Sequence, residues 1–521
     1  MPISSPISKH QSATKALAKT LRKADIYHWL LVSGYFPESY VLPPCFSVKK
    51  RPHRPKIYYR VEKTVTANRK VRTEYKPDIT ECVNVHFPKT ELTDRTFGLI
   101  DPYIHNDIAF HISRNWKSIV EALIPSDSIV TSYSFPIPID SRTPGRMGYL
   151  RSGRMIYEFI EMTDDDLAAV AYKYTHLVKA DIKSFYPSIY THSLAWALHS
   201  KKLVRKAENR RNYLLLGNRL DKLFQNANDG CTNGLPVGPV VSDVAAEIVA
   251  AGVDRFFSKQ IRHEKIDCEV VRFKDDYRIL VKSEADARRA IKMLQASLRD
   301  FNLELSDEKT KVFSLPNGLF REWVSRYHAV YPKKLRRFSW KQFRELYLAV
   351  VEIDKACPGT GVIDRFLADI VSKNGALKVA LVAHNLEKVI SMLLMLGNLR
   401  IKAFPKIIAI LEAVLKGSVG GSHKLEIVAH LESFLATLSK EEKRNKYLIS
   451  WIGYFLVSND LVMHLTKRPA FKDPITRSIF SNRGLVFKNR NEFKLFVGCK
   501  SMARQVTMLE HLDVFSTPKH F

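Results

Sequence analysis

The apolar and polar positions of this chain change period along its length, and the changes divide it. Residues 1 to about 45 predict a basic helix followed by a turn at Pro43 and Pro44. From about 46 to 90 the chain is basic with β-branched and aromatic positions, and RPHRPKIYYRVEKTVTANRKVRTEYKP predicts one or two exposed strands around a polar turn. The next stretch, to about 175, is mixed. AFHISRNWKSIVEAL has helical spacing, SFPIPIDSRTPGRMGY is a loop punctuated by Pro and Gly, and RMIYEFIE reads as a short strand.

Residues 176–312 alternate between strand and helix. THLVKADIKSFYPSIY opens as a buried strand, THSLAWALHSKKLVRK is helical and basic, and LPVGPVVSDVAAEIVAAGVDRFF is a loop running into a long apolar helix. CEVVRFKDDYRILVKS predicts a hairpin with an acidic tip, and EADARRAIKMLQASLRDFNLEL an amphipathic helix with a return strand. From about 335 the pattern is helical throughout, in segments such as FPKIIAILEAVLK and KYLISWIGYFLV separated by short Gly, Pro and polar breaks. These predict stacked helical hairpins, loosely repeat-like but without a strict period. The basic stretch from Lys467 to Phe521 fits neither pattern clearly.

Composition changes the picture through charge. Lys and Arg total 82 against 53 for Asp and Glu, a formal charge of +29. A surplus that large points to a polyanionic partner, and nucleic acid fits better than a ribosome-like structural role or a membrane surface. Tyr58 and Tyr59 in the basic ribbon would then suit stacking on a single strand. The six cysteines are scattered with no CxxC pair, which disfavours a zinc site or a disulfide framework and fits a reducing cytoplasm. No stretch approaches the ~20 apolar residues of a membrane span.

Asp275 and Asp276 stand side by side at the tip of an apolar hairpin. Two such carboxylates are costly unless a cation compensates them, and oxygen ligands suit Mg²⁺. Asp181 ends another apolar strand, LVKAD. If the two strands are neighbours in one sheet, the three carboxylates converge at its edge, where two metal ions can activate a hydroxyl and stabilise a leaving pyrophosphate. A lone Asp at a strand end is more often a solvated turn. Between them, NGLPVGPVVSD carries glycines where backbone must approach something closely.

Four motifs in order now resemble a known family. DIKSFYPSIY, beginning at Asp181, looks like motif A of reverse transcriptases; LPVGPVVSD resembles motif B, RFKDDYRI the YxDD box of motif C, and LELSDEKTKVF motif D. The resemblance implies an α+β fold, with a fingers–palm unit built on a ferredoxin-like palm sheet, followed by an all-α helical-repeat domain in place of a typical thumb. It divides the chain into an N-terminal basic extension (1–90), the fingers–palm domain (91–330) and the C-terminal helical domain (331–521).

It also implies roles. Asp181, Asp275 and Asp276 would hold two Mg²⁺ ions, with Mn²⁺ as a substitute, and Ile182 would lend its backbone carbonyl. Tyr186 stands at the steric-gate position that excludes a ribose 2′-hydroxyl and so favours dNTPs. Pro236, Val237 and Gly238 of motif B and Phe273 of motif C would line the nucleotide site. Lys309 would neutralise or protonate pyrophosphate, and among Arg142, Arg146, Arg151 and Arg154 one or two would hold the triphosphate, with Arg151 and Arg154 the stronger choices. Four departures stand out: Phe273 for the usual Tyr, Lys274 at the variable position, Val237 where Gln is common, and Asp243 where Pro is common. The architecture looks most like bacterial abortive-infection and defence-associated reverse transcriptases. That implies an antiphage enzyme of the bacterial cytoplasm, homo-oligomeric, making DNA on an RNA template or beside an associated non-coding RNA, with protein priming open. Alternatives are a catalytically idle RNA-binding scaffold, an RNA-templated RNA polymerase, and a retron- or intron-type enzyme.

Overall fold

The computed structural model describes residues 5–50, 78–88, 93–138, 153–372, 375–467, 469–487, 490 and 492–512. The ribbon expected around Tyr58 and Tyr59 lies outside them, as do Arg142, Arg146 and Arg151.

The chain opens with α1 (Pro6–Thr20), where the Ser5 hydroxyl accepts the Ser8 N–H at 3.2 Å and Pro6 needs no partner for its nitrogen. After α2 (Lys23–Val32) comes β1 (Phe46–Lys50), then the antiparallel ribbon β2 (Val83–Pro88) and β3 (Asp94–Leu99). The single helical run expected over AFHISRNWKSIVEAL is two helices, α3 (Pro102–Arg114) and α4 (Trp116–Leu123), broken at Asn115. Basic residues of α1 face this pair: Lys15 and Lys19 each reach Glu121 at 2.7 Å.

Next come β4 (Val130–Ser132), α5 (Gly153–Ala171) and β5 (His176–Asp181). The strand expected at RMIYEFIE lies inside α5 instead. Its dense apolar residues suit a strand locally, but the turns that follow repeat at helical spacing and bury Leu167, Val170 and Ala171. Beyond β5 are the short α6 (Phe185–Ser188), then α7 (His192–His199), α8 (Lys201–Val204), α9 (Leu216–Ala227) and the long α10 (Val240–His263). The expected hairpin is β6 (Cys268–Phe273) with β7 (Asp276–Val281), followed by α11 (Glu284–Arg299). The return strand, β8 (Lys311–Ser314), begins later than LEL, which contributes only an isolated bridge between Leu305 and Ile182.

These strands form one five-stranded sheet in the order β4-β6-β7-β5-β8, antiparallel except where β4 runs parallel to β6. Alternation along each strand gives the sheet two faces. Val178, Ala180, Val270 and Ile279 pack in one buried cluster with residues of α10 and α11. Leu177, Val271 and Leu280 pack in another, with Leu167 and Val170 of α5.

The region after the sheet is helical: α12 (Glu322–Val330), α13 (Trp340–Ala356), α14 (Val362–Asp369), α15 (Ala383–Leu399), α16 (Phe404–Lys416), α17 (Ser418–Ser422), α18 (Lys424–Ser439), α19 (Glu442–Ser458) and α20 (Pro474–Ser481). One amendment to an all-α expectation follows: β9 (Lys494–Phe496) pairs with β1 near the other end of the chain. The helices share an apolar cluster with Tyr35, Phe46, Val85, Phe87 and Phe97. No helix among the described residues is long and apolar enough to cross a membrane.

Candidate active site

Strand register brings the aspartates together. Asp181 is the last residue of β5 and Asp276 the first of β7, and the antiparallel pairing sets them directly opposite. Side chains of such a pair leave the sheet on the same face. Because Phe273 pairs with Asp276, the β6–β7 turn consists of Lys274 and Asp275 alone. A two-residue turn needs a positive φ, and Lys274 supplies it at 53°. Asp275 is tied back to motif A, its carbonyl accepting the Ile182 N–H at 3.1 Å, while the Asp181 carbonyl accepts the Ser306 N–H at 2.8 Å.

The electrostatics show uncompensated negative charge. Burial pushes the Asp275 carboxyl above its usual value, and the nearby Asp181 adds to the effect. Asp276 keeps solvent-accessible surface, yet surrounding protein displaces enough water to push its carboxyl up to about 7, helped by the charges of Asp275 and Asp181. Two cations answer them in part: Lys274 acts on Asp275 from within the turn, and Lys309 Nζ lies 2.9 Å from Asp181 Oδ2. Burial works against the Lys309 charge, but the bond to Asp181 and the fields of Asp276 and Asp275 outweigh it and raise its pKa. Among the described residues no three or more His, Cys, Asp or Glu side chains are already gathered closely enough to hold a metal ion. The carboxylates share an edge, with an ammonium group beside them. Three carboxylates against so little facing positive charge would suit a divalent cation, because oxygen donors match such ions and burial leaves Asp275 and Asp276 short of compensation.

The other expected residues lie around this edge. Tyr186 sits in α6, just beyond β5, and its hydroxyl donates to the Asp243 carboxylate at the start of α10. The motif B loop is pinned on three sides: Gly234 N–H donates to Ile189 O and Leu235 N–H to Tyr186 O, each at 2.9 Å, and Val237 O accepts the Gly98 N–H of β3 at 2.9 Å. Gly238 has φ 125°, and a Cβ there would meet Pro37 and Phe97 at 3.1 and 3.2 Å. Pro236 is buried near Gly98, while Val237 packs against the helical region's apolar cluster. Phe273 packs at the margin of the cluster under α5. Arg154 lies in the first turn of α5.

Residues 143–344 match the family described as reverse transcriptase (RNA-dependent DNA polymerase). This segment is similar to reverse transcriptase domains. The domain contains α5 through α12 and with them all four motifs. Solved structures similar to the chain include telomerase from Candida albicans in complex with a fragment of telomeric RNA, at 13% identity and TM-score 0.24, covering 61% of this chain and 54% of that one. Apo telomerase from Candida tropicalis has 11% identity and TM-score 0.32, covering 79% and 70%. The chain thus spans about half the length of the first of these. Scores this low carry no argument beyond the family match. Among curated proteins, none matches.

A residue to which the four motifs give no role also bears on the site: Arg272, which has no exposed surface and lies directly behind the DD turn. Its guanidinium donates to Glu247 at 2.8 and 3.0 Å and to Asp254 at 2.7 to 3.2 Å. The signal was present: a lone cation in the apolar strand VVRF, and two acids seven residues apart on one face of an apolar helix.

Proposed function

We propose that this protein is an RNA-directed DNA polymerase that joins deoxynucleoside triphosphates to a 3′-hydroxyl, or to a protein hydroxyl, by in-line displacement. The observation that carries the reading is the register pairing of Asp181 with Asp276 beside Asp275, at the ends of two inner strands of a sheet like a reverse transcriptase palm. In the reaction the hydroxyl oxygen forms a bond to the α-phosphorus and the bond to the β-phosphate bridging oxygen breaks. Pyrophosphate departs and the hydroxyl proton passes to solvent.

Asp181, Asp275 and Asp276 would hold Mg²⁺, or Mn²⁺ in its place, and Ile182 would add its carbonyl. Bound there, the ions supply charge neutralisation at the attacking and leaving oxygens. The protein holds the carboxylates on rigid strand ends. Lys309 rests on Asp181, so its ammonium balances a carboxylate before substrate arrives, and it serves pyrophosphate only by releasing that bond. Tyr186 presents its ring at the sugar, its hydroxyl held by Asp243. Val237, turned into the apolar cluster, cannot supply the hydrogen bonds a Gln offers, leaving Pro236 and Gly238 to shape the base-pair side. Phe273 supports the turn from one side, and the motif resemblance assigns the triphosphate to Arg151 and Arg154.

The wider reading is an antiphage enzyme of the bacterial cytoplasm, working as a homo-oligomer on an RNA template or with an associated RNA. It rests on the motif pattern, the helical region after the palm and the +29 charge. The test is incorporation of dNTPs with Mg²⁺ by the full chain, with Asp275→Ala as control and the product sequenced after protease digestion. DNA that depends on Asp275 is expected. Equal synthesis by the variant overturns the site, and no synthesis by either, with RNA still bound, favours the scaffold.

A further inference from the structure

The buried cation behind the DD turn does more than fill a gap in the core. Glu247 and Asp254 stand two helical turns apart on α10, and both grip Arg272 of β6. Arg272 Nη1 also donates to the carbonyl of Lys274, the first residue of the turn, at 2.9 Å. The Lys274 N–H donates in turn to Ser134 Oγ at 3.0 Å. Ser134 donates to Glu247 at 2.9 Å, and Ser132 reaches the same carboxylate at 2.6 Å. Across the hairpin, the Tyr277 hydroxyl donates to Asp254 at 2.7 Å. The circuit therefore closes: turn to Arg272, Arg272 to α10, α10 to Ser134, and Ser134 back to the turn.

Every member but Ser132 and Lys274 is buried; Arg272, Tyr277, Asp254, Glu247 and Ser134 are 0, 1, 3, 5 and 8% exposed. Two carboxylates against one guanidinium is an arrangement that hydrophobic packing alone would not choose, because each buried ion has to be compensated by fixed partners. What it provides is geometry. A planar fork bonded on several edges has no freedom to rotate, and both backbone polar groups of Lys274 are bonded to this circuit.

Helix α10 gives the circuit its consequence. It starts directly after the motif B loop, and its first turn carries Asp243, which holds Tyr186. The same rigid helix that begins at the proposed nucleotide site thus grips the turn that bears Asp275 and leads into Asp276. We infer that Arg272, Glu247, Asp254 and Ser134 are positioning residues that fix the DD turn to α10, so that cation affinity at Asp275 and Asp276 depends on this buried circuit. The inference rests on the metal-binding reading of those aspartates.

The test uses full-length protein and Mn²⁺ as the probe, titrated by electron paramagnetic resonance, with thermal unfolding measured on each sample. Ser134→Ala removes the acceptor for the turn's N–H without stripping charge from the core, and Glu247→Gln keeps shape and loses charge. Both are expected to weaken Asp275-dependent Mn²⁺ binding about three- to tenfold, with RNA affinity unchanged and unfolding within a few degrees of wild type. The Mg²⁺ needed for half-maximal dNTP incorporation should rise by a similar factor. Should Glu247→Gln fail to fold, the Ser134 variant still decides. Wild-type Mn²⁺ affinity in a folded Ser134→Ala protein overturns the inference. Absence of any Asp275-dependent Mn²⁺ binding in the wild type overturns instead the metal reading beneath it.

Discussion

At the scale of single residues, the candidate chemistry depends on how the fold treats three carboxylates. Asp276 keeps its proton to about 7 in the folded chain, against about 3.9 in an unfolded one. Between those values the folded state binds more protons, so stability falls as pH rises and levels off above about 7. Thermal unfolding in chelator across that range should show the decline, and Asp276→Asn should flatten it. Added divalent cation should offset the decline most at the upper end, where the carboxylates are ionised. A second residue-scale expectation concerns Tyr186. Tyr186→Ala should shift the choice between dNTP and rNTP toward ribonucleotides by tenfold or more, about 1.4 kcal/mol for each factor of ten. Asp243→Ala should move the same ratio in the same direction by less, because the ring stays but loses its tether. An unchanged ratio in both variants removes Tyr186 from sugar selection.

At the scale of elements, two close contacts define the frame around the site. Helices α7 and α9 cross at Gly217, where an added Cβ would lie 2.6 Å from the Ala195 Cα. Backbone on both sides cannot yield cheaply, so Gly217→Ala should destabilise the domain by about 1–3 kcal/mol in denaturant unfolding. The second contact is α10 against the β6–β7 hairpin. Arg272→Met leaves Glu247 and Asp254 buried without their cation, at about 3–5 kcal/mol. Replacing all three with apolar residues together should recover much of that loss, and a triple variant no more stable than Arg272→Met would show that the ion cluster is not the cause. The elements themselves were mostly legible. The hairpin with its acidic tip, the long apolar helix and the buried strand ending at Asp181 all follow from period and turn chemistry. RMIYEFIE was not, because a short apolar run fits strand and helix alike until the residues beyond it are counted.

At the scale of the molecule, the two ends of the chain are joined. Strand β9 pairs with β1, and the cluster of α13–α19 includes Phe46, Phe87 and Phe97 from the N-terminal region. A truncation ending at residue 330 should therefore expose this apolar surface and aggregate or melt well below the full chain, checked by light scattering and calorimetry. The net charge makes a separate, global prediction. Raising salt from about 50 to 200 mM should weaken RNA binding about a hundredfold if some five phosphates are contacted. Asp275→Ala should show the same slope, since the carboxylates carry none of that attraction.

The sequence by itself determined the local chemistry: most of the strands and helices, where the carboxylates stand in their motifs, and a net charge suited to a polyanionic partner. These follow from neighbours within a few positions and from summed charge. Only the tertiary structure decided that Asp181 faces Asp276, that Lys309 rests on Asp181, that Asp243 holds Tyr186, and that Arg272 ties the turn to α10. Each is a contact between residues distant in the chain, set by strand register and helix packing. One residue's slip in register would turn Asp276 to the other face.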